Sequence, residues 1–567
     1  MTALIQDLVL PSTLDILPAR LQALGASRAE VWLFEGEGRR RSAECGLSLL
    51  GMDVQVRSAY KPLLHFFLEE AGPLQDLHEI TIHAPAGLLQ RIKVDAYPLA
   101  GLLGEQTRLS FVADTEIAIS LDGRRQTVFV PLNEEGSPIG WLRAWRGSEL
   151  LHDGPWQTDY EALFEQVMTA VRRHPWPATE PYFDTLQIDI AMRGIERGLD
   201  YGDEVISTAE ALHEDLYFSI LEHFQQHSGK PPGDRTLCPG QIVPNVVHGE
   251  GPTTLSVRLL THRADAPAEV AAPALEQLER PLHPGEVRAA FRPLAGERFA
   301  CTSWQGRQVE GLYRAGSLPG VVISGGQHAN ESSGIVAVLR AGAVLQQRAD
   351  AHYALVPLEN PDGAALHHLL CQSNPRHMQH AARFTARGDD LEVRQPPELG
   401  EKAARQEAIT RTRAGLHLSL HGYPAHEWTR PFSGYLPRGM PDWALPKGFF
   451  LILRQHPGHD GRAFLEALTA GLAQDPALRA LSALNARQLA LWRAHWGELP
   501  FPVLNGIPCL VSEDQRSKVP FTLITEYPDE TVYGEAFVLA HETLTRTVLL
   551  ATELYWQGLL GQPRLSA

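Results

Sequence analysis

Residues 321–345, VVISGGQHANESSGIVAVLRAGAVL, decide how the chain is read. Val321, Val322 and Ile323 form a short unbroken apolar run, the pattern of a strand buried on both faces. Gly325 and Gly326 permit a sharp turn where a side chain would clash. Beyond Glu331, the residues Ile335, Val336, Val338, Leu339, Val344 and Leu345 return at helical spacing, which predicts a helix. His328 and Glu331 therefore fall at the carboxyl end of a strand, where open α/β sheets hold their ligands. Three positions apart across a turn, an imidazole and a carboxylate can reach one cation. Zinc accepts this mixture of donors, and a catalytic zinc needs one more protein ligand besides a water. An H-x-x-E pair alone is common; its setting between strand, double glycine and helix gives it weight.

Further strand ends downstream carry the same kind of residue. LHLSL (416–420) reads as a buried strand and delivers His421, followed by Gly422. FTLIT (521–525) delivers Glu526. LVPL (355–358) leads into ENPDG (359–363), and PCLVS (508–512) adds another strand. From residue 287 onward strands and helices alternate, the mark of an α/β domain.

Four segments resemble the zinc carboxypeptidases of the carboxypeptidase A type, over roughly residues 287–550. They are TSWQGRQVEGL (302–312), GGQHANE (325–331), NPDG (360–363) and LITEYPDE (523–530). The resemblance implies a mixed, roughly eight-stranded sheet between helices. It implies His328, Glu331 and His421 as ligands of one zinc per chain, with Glu526 as general base and acid. Arg376 would correspond to the arginine that polarises the scissile carbonyl and binds substrate; Arg383 and Arg387 are its rivals. His417 is the rival of His421, and Glu530 of Glu526. His377 and His380 form an H-x-x-H expected to line the site, and the substrate-pocket tyrosine is left open among Tyr423, Tyr435 and Tyr533. The chain departs from the family at GDDLEVR (388–394): Asp390 and Leu391 match, but Glu392 and Val393 stand where an Asn-Arg pair would grip a terminal carboxylate. A carboxylate there repels another carboxylate and supplies no guanidinium fork. The expectation is a subsite that reads an amine, an amide or a modified terminus; the alternative is that Arg383, Arg387 or Arg394 reaches in from elsewhere and ordinary C-terminal trimming survives.

The implied activity is zinc-dependent hydrolysis of a peptide or peptide-like amide bond. Two alternatives stand beside it: an N-acyl amino acid amidohydrolase resembling aspartoacylase, and a non-catalytic binding protein on a peptidase scaffold.

The whole chain bounds these readings. Its 567 residues suffice for two to four domains, and a 44% hydrophobic, 21% charged composition is that of a soluble globular protein. A formal charge of −17 argues against nucleic acid and anionic membranes as partners, and weighs against strongly acidic substrates. The expected partner is a peptide-like substrate, with a homo-oligomer left open. Five scattered cysteines without a C-x-x-C pair, no visible leader and no long apolar run point to a cytoplasmic protein. Residues 1–175 read as an α+β accessory domain, with an antiparallel meander over 111–145 turning at Asp122-Gly123. Residues 176–286 read as a helical and β linking region behind a proline-rich edge (172–184), with 186–227 helical and 229–245 a loop. Residues 287–567 are the catalytic domain. His78 and His83, and His223 and His227, read as structural or surface pairs.

Overall fold

The computed structural model describes residues 2–104, 106–231, 233–261, 270–434 and 445–560. Among these, nine strands of the C-terminal half form one mixed sheet. Across it lie Glu297–Thr302, Gln308–Arg314, Tyr353–Val356, Val321–Gly325, Leu416–Tyr423, Phe521–Pro528, Phe450–Gln455, Ile507–Glu513 and Val503–Leu504. The four strands from Tyr353–Val356 to Phe521–Pro528 are mutually parallel, and antiparallel pairings flank them on both sides. The strand beyond the expected eight is the two-residue Val503–Leu504 at one edge.

The parallel strands are buried on both faces, which is why Val321–Gly325 shows no alternation. One face packs Leu416, Leu418 and Leu420 with the helices Ser333–Leu345 and Glu535–Trp556. The helix Lys402–Thr412 covers the other face, over the strands from Glu297–Thr302 to Val321–Gly325. Beyond this helix the same face carries His417, Ser419, His421, Ile452, Arg454, Thr522, Ile524 and Glu526, which floor an open cleft. Two glycines let the pieces close up. Gly326 takes a φ of 62°, and at Gly334 a Cβ would come within 2.9 Å of the Leu420 Cβ, on the strand that carries His421.

The N-terminal half contributes three four-stranded sheets. In the first, Thr2–Leu10 pairs with Thr253–Leu260, so residues from both sides of the proline-rich edge share one sheet. Residues 186–227 do not begin as a helix. Thr185–Met192 is a strand in which Leu186, Ile188, Ile190 and Met192 are all buried, a period-2 signal; the helix is Thr208–Ser228. The supposed loop ends in the strand Gln241–His248, whose Pro244 is tolerated because the strand lies at the sheet's edge. The hairpin at Asp122-Gly123 is present, with both residues at positive φ. The meander does not continue, however: Trp141–Arg146 joins another sheet between Arg28–Leu33 and Glu149–Pro155, where Leu142 and Ala144 enter a separate apolar cluster. No described helix is long and apolar enough to cross a membrane.

Candidate metal centre and cleft

Strand ends aim three donors at one point. His328 follows the turn after Val321–Gly325, Glu331 precedes the helix Ser333–Leu345, and His421 lies within Leu416–Tyr423. The two Glu331 oxygens lie 2.8 Å from His328 Nδ1 and 2.8 Å from His421 Nδ1, and the two Nδ1 atoms are 3.2 Å apart. Among the described residues this is the one group of three or more His, Cys, Asp or Glu side chains gathered closely enough to share an ion. All three are buried.

The donor set fits zinc: two imidazoles and a carboxylate, with each imidazole oriented from behind. His328 Nε2 faces Asp390 Oδ2 at 3.7 Å, and His421 Nε2 lies 3.1 Å from Ser419 Oγ. Burial raises the Glu331 carboxyl, yet the charges of His328, Arg383 and His421 outweigh it and hold the group well below the usual range, so it stays anionic. Asp390 is likewise held low against its burial by His328 and Arg235. His417, the rival ligand, instead meets Ser324 Oγ at 2.9 Å, within the sheet.

Glu526 is the register partner of His421 on the adjacent parallel strand and opens onto the same cleft. Burial and the neighbouring Glu331 push its carboxyl up to about 8, against the pull of His421, Arg383 and Lys447. Glu530 does not line the cleft and accepts from Asn330 Nδ2 at 2.9 Å.

Of the three candidate arginines, the structure brings only Arg383 to the donors. Its Nη1 bonds Glu331 and lies 3.7 Å from Glu530. Arg376 lies away from the donors: its side chain is 59% exposed, its carboxylate neighbour is Asp203 at 3.9 Å, and it does not line the cleft. Arg387 lies over the Trp304 ring and pairs with Glu398 at 3.3 Å. The cause is the NPDG motif. Asn360 caps the helix Pro361–Cys371 and donates to Phe384 O at 3.0 Å, pinning the backbone beside Arg383. Asp362 accepts from Ser303 Oγ, Gln305 N and Arg307 Nη1 at 2.7–2.9 Å, so two of the four resembling segments are one hydrogen-bonded unit.

Glu392 lines the cleft, but Arg405 lies 3.2 Å from its Oε2 and Arg454 3.6 Å from its Oε1. Arg405, Lys402 and Arg454 hold it low despite burial. The expected amine-reading subsite therefore finds no free carboxylate here. Arg394 is tied to Asp389 at 2.6 Å and to Glu401. The guanidinium that faces Glu392 in the cleft is that of Arg405, on the helix Lys402–Thr412, which sequence reasoning missed along with Arg454.

His377 and His380 do not line the cleft. His377 Nε2 lies 3.2 Å from Ser207 Oγ, and His380 stacks on Trp428 with centroids 4.8 Å apart, both against the helix Thr208–Ser228 or its cap. Tyr423 donates to Gly448 O at 2.6 Å and Tyr533 lies beside Cys371; neither lines the cleft, and Tyr435 falls outside the described residues. His83 meets Ser120 Oγ, His227 meets Pro177 O, and neither pair gathers a third donor.

No family model and no curated protein sequence matches the chain. Similar solved structures include a metallo-carboxypeptidase from Burkholderia cenocepacia, 13% identical, covering 54% of this chain and 73% of that one, with a TM-score of 0.28. Carboxypeptidase A from Helicoverpa armigera is 12% identical, covering 56% and 90%, with a TM-score of 0.30. Bovine thrombin-activatable fibrinolysis inhibitor, in complex with tick carboxypeptidase inhibitor, is 10% identical, covering 49% and 98%, with a TM-score of 0.28.

Proposed function

We propose that the chain is a zinc-dependent hydrolase of a peptide or peptide-like amide bond, acting as a metallopeptidase. The observation that carries the reading is the convergence of His328, Glu331 and His421 beside Glu526 in one cleft. His328, Glu331 and His421 would hold the ion, which when bound supplies Lewis acidity toward water and a carbonyl oxygen. Glu526 is the group that moves protons. Its carboxyl opens onto the cleft beside the His421 strand, placed to take a proton from water and return it to a leaving amine. Arg383 brings a guanidinium beside the donor set, suited to a developing negative charge on the carbonyl oxygen. The cleft, about 360 Å³, is of a size for one or two residues of a chain.

Glu526→Gln keeps the donors and removes the proton acceptor. The expected result is one zinc per chain in the purified variant, with turnover of model peptides lowered by about 10²–10⁴-fold. Wild-type rates in that variant would remove Glu526 from the mechanism.

A further inference from the structure

On the premise of the hydrolase reading above, we infer that the cleft selects a leaving residue bearing a carboxylate side chain, and that Arg454 is its principal determinant. Seven lysine and arginine side chains line the cleft against four carboxylates, in a protein whose formal charge is −17. A cleft so opposed to the charge of the whole molecule concentrates anions by focusing its field. Pairing with carboxylates offsets Arg235, Arg405, Arg516 and Arg383 and leaves Lys402, Arg454 and Lys518 in excess. Asp390 already serves His328 and Arg235, Glu392 serves Arg405, and Asp514 is bonded by Arg516 at 2.6 Å.

Arg454 lies where a side chain entering past Glu526 would end. It sits on the strand Phe450–Gln455, antiparallel to the Glu526 strand, with Phe450 opposite Glu526 and Arg454 opposite Thr522. Four residues along a strand is about 13 Å, less the reach of the arginine itself. Ile452 and Ile524 line the way and suit a short methylene stem. The Arg454 guanidinium is 3.6 Å from Glu392 and 3.8 Å from Asp514, within ion-pair range of both, and makes no hydrogen bond among the described residues. Its planar donors are therefore open to a bidentate partner. Exposed Lys518, with no ion pair among the described residues, stands with Arg516 at the rim. A second cation lies deeper: Arg405 is buried among Gln327 Oε1 at 2.9 Å, Glu392, and Glu359 Oε2 at 3.4 Å from its Nε, and its Nη2 makes no hydrogen bond among the described residues. A leaving residue with two carboxylates, one on the side chain and one at the terminus, matches two guanidinium groups. A lysine or arginine in the same place would meet like charge.

Tripeptides acetyl-Ala-Ala-Glu, -Gln and -Lys test this on the zinc-loaded chain. The expected order of kcat/KM is Glu over Gln by about tenfold or more, with Lys lowest, and the Glu preference shrinking in about 0.5 M salt. Arg454→Glu should place Lys above Glu, and the milder Arg454→Met should erase the preference for Glu over Gln. Calorimetric titration of the Glu and Gln tripeptides into Glu526→Gln reads selection without turnover. Tighter binding of the Glu peptide supports the acidic subsite even if no peptide is cleaved, an outcome that would instead remove the hydrolase reading. Hydrolysis or binding with Glu and Gln equal would overturn the subsite and leave the hydrolase reading intact. A Glu preference surviving both Arg454 variants would overturn the role of Arg454.

Discussion

Asp390 never approaches the shared ion position, yet it is the residue on which the centre leans. Its Oδ2 faces His328 Nε2, its Oδ1 accepts from Gln327 Nε2 at 3.2 Å, and the backbone N–H of Glu392 holds it from behind at 2.9 Å. A carboxylate behind an imidazole fixes which ring nitrogen carries the proton and leaves the other free to bind a cation. Asp390→Ala is expected to lower zinc affinity by about 10–100-fold with the fold intact, read by competition with a chromophoric chelator. Wild-type affinity in that variant would reduce Asp390 to a spectator. The structure gathers the three donors and Glu526, and their nearness was legible because His421 and Glu526 end apolar runs, His328 and Glu331 follow one across a turn, and strand ends converge in a parallel sheet. Arg383 could not be told from Arg376, because residues 372–390 have no periodicity to say which side chain turns inward. Arg405 and Arg454 were hidden for another reason. Their partners, Gln327, Glu359 and Glu392 for one and Glu392 and Asp514 for the other, are distant in sequence, and an isolated arginine on a helix or strand reads as solvated.

At the scale of elements, the NPDG turn and the strand hairpin 297–314 behave as one piece. Asp362 is buried and collects two side-chain donors and one backbone N–H from the 303–307 turn. Asn360, on the same turn, holds the Arg383 segment. Asp362→Ala would leave the partly buried Arg307 guanidinium and two further donors without an acceptor, a loss of about 3 kcal/mol or more. The expected outcome is a clear fall in thermal midpoint with a weaker effect on zinc stoichiometry, since no metal donor is touched. An unchanged midpoint would mean that the turn is held by other means. The order of elements in this half was legible for the same physical reason as the site: buried parallel strands are unbroken apolar runs. The strand Thr185–Met192 is hard to read because Gln187 and Asp189 interrupt its apolar residues, and such a segment resembles a helix face unless its period is counted.

At the scale of the whole molecule, the N-terminal half props up the loops around the cleft. Glu210, at the start of the helix Thr208–Ser228, accepts from the Met378 N–H at 2.8 Å, and its other oxygen meets His426 Nε2 at 2.7 Å. Lys61 pairs with Glu427, Tyr60 OH with Thr429, and Asp215 receives the N–H groups of Phe432 and Ser433. The segment that Glu210 grips through Met378 is the one that carries Arg383, five residues on. His426 is one titrating member of this junction. Burial opposes its charge, but Glu210, Glu204 and Glu427 overcome that and raise it to about 9. A histidine raised in the folded state stabilises fully below its unfolded value of about 6.5, and that stability is lost as pH climbs through 9. Glu204, raised by burial to about 7, acts in the same direction over a lower window, favouring the fold as pH falls from 7 toward its unfolded value. For His426 the difference amounts to something on the order of 3 kcal/mol between neutral and strongly alkaline solution. Thermal midpoints followed from pH 6.5 to about 10 should therefore fall more steeply for the native chain than for His426→Gln. Turnover should fall together with the midpoint, because the junction that loosens also holds the Arg383 loop. Parallel midpoint curves for the two proteins would show that the His426–Glu210 pair does not govern how the halves dock.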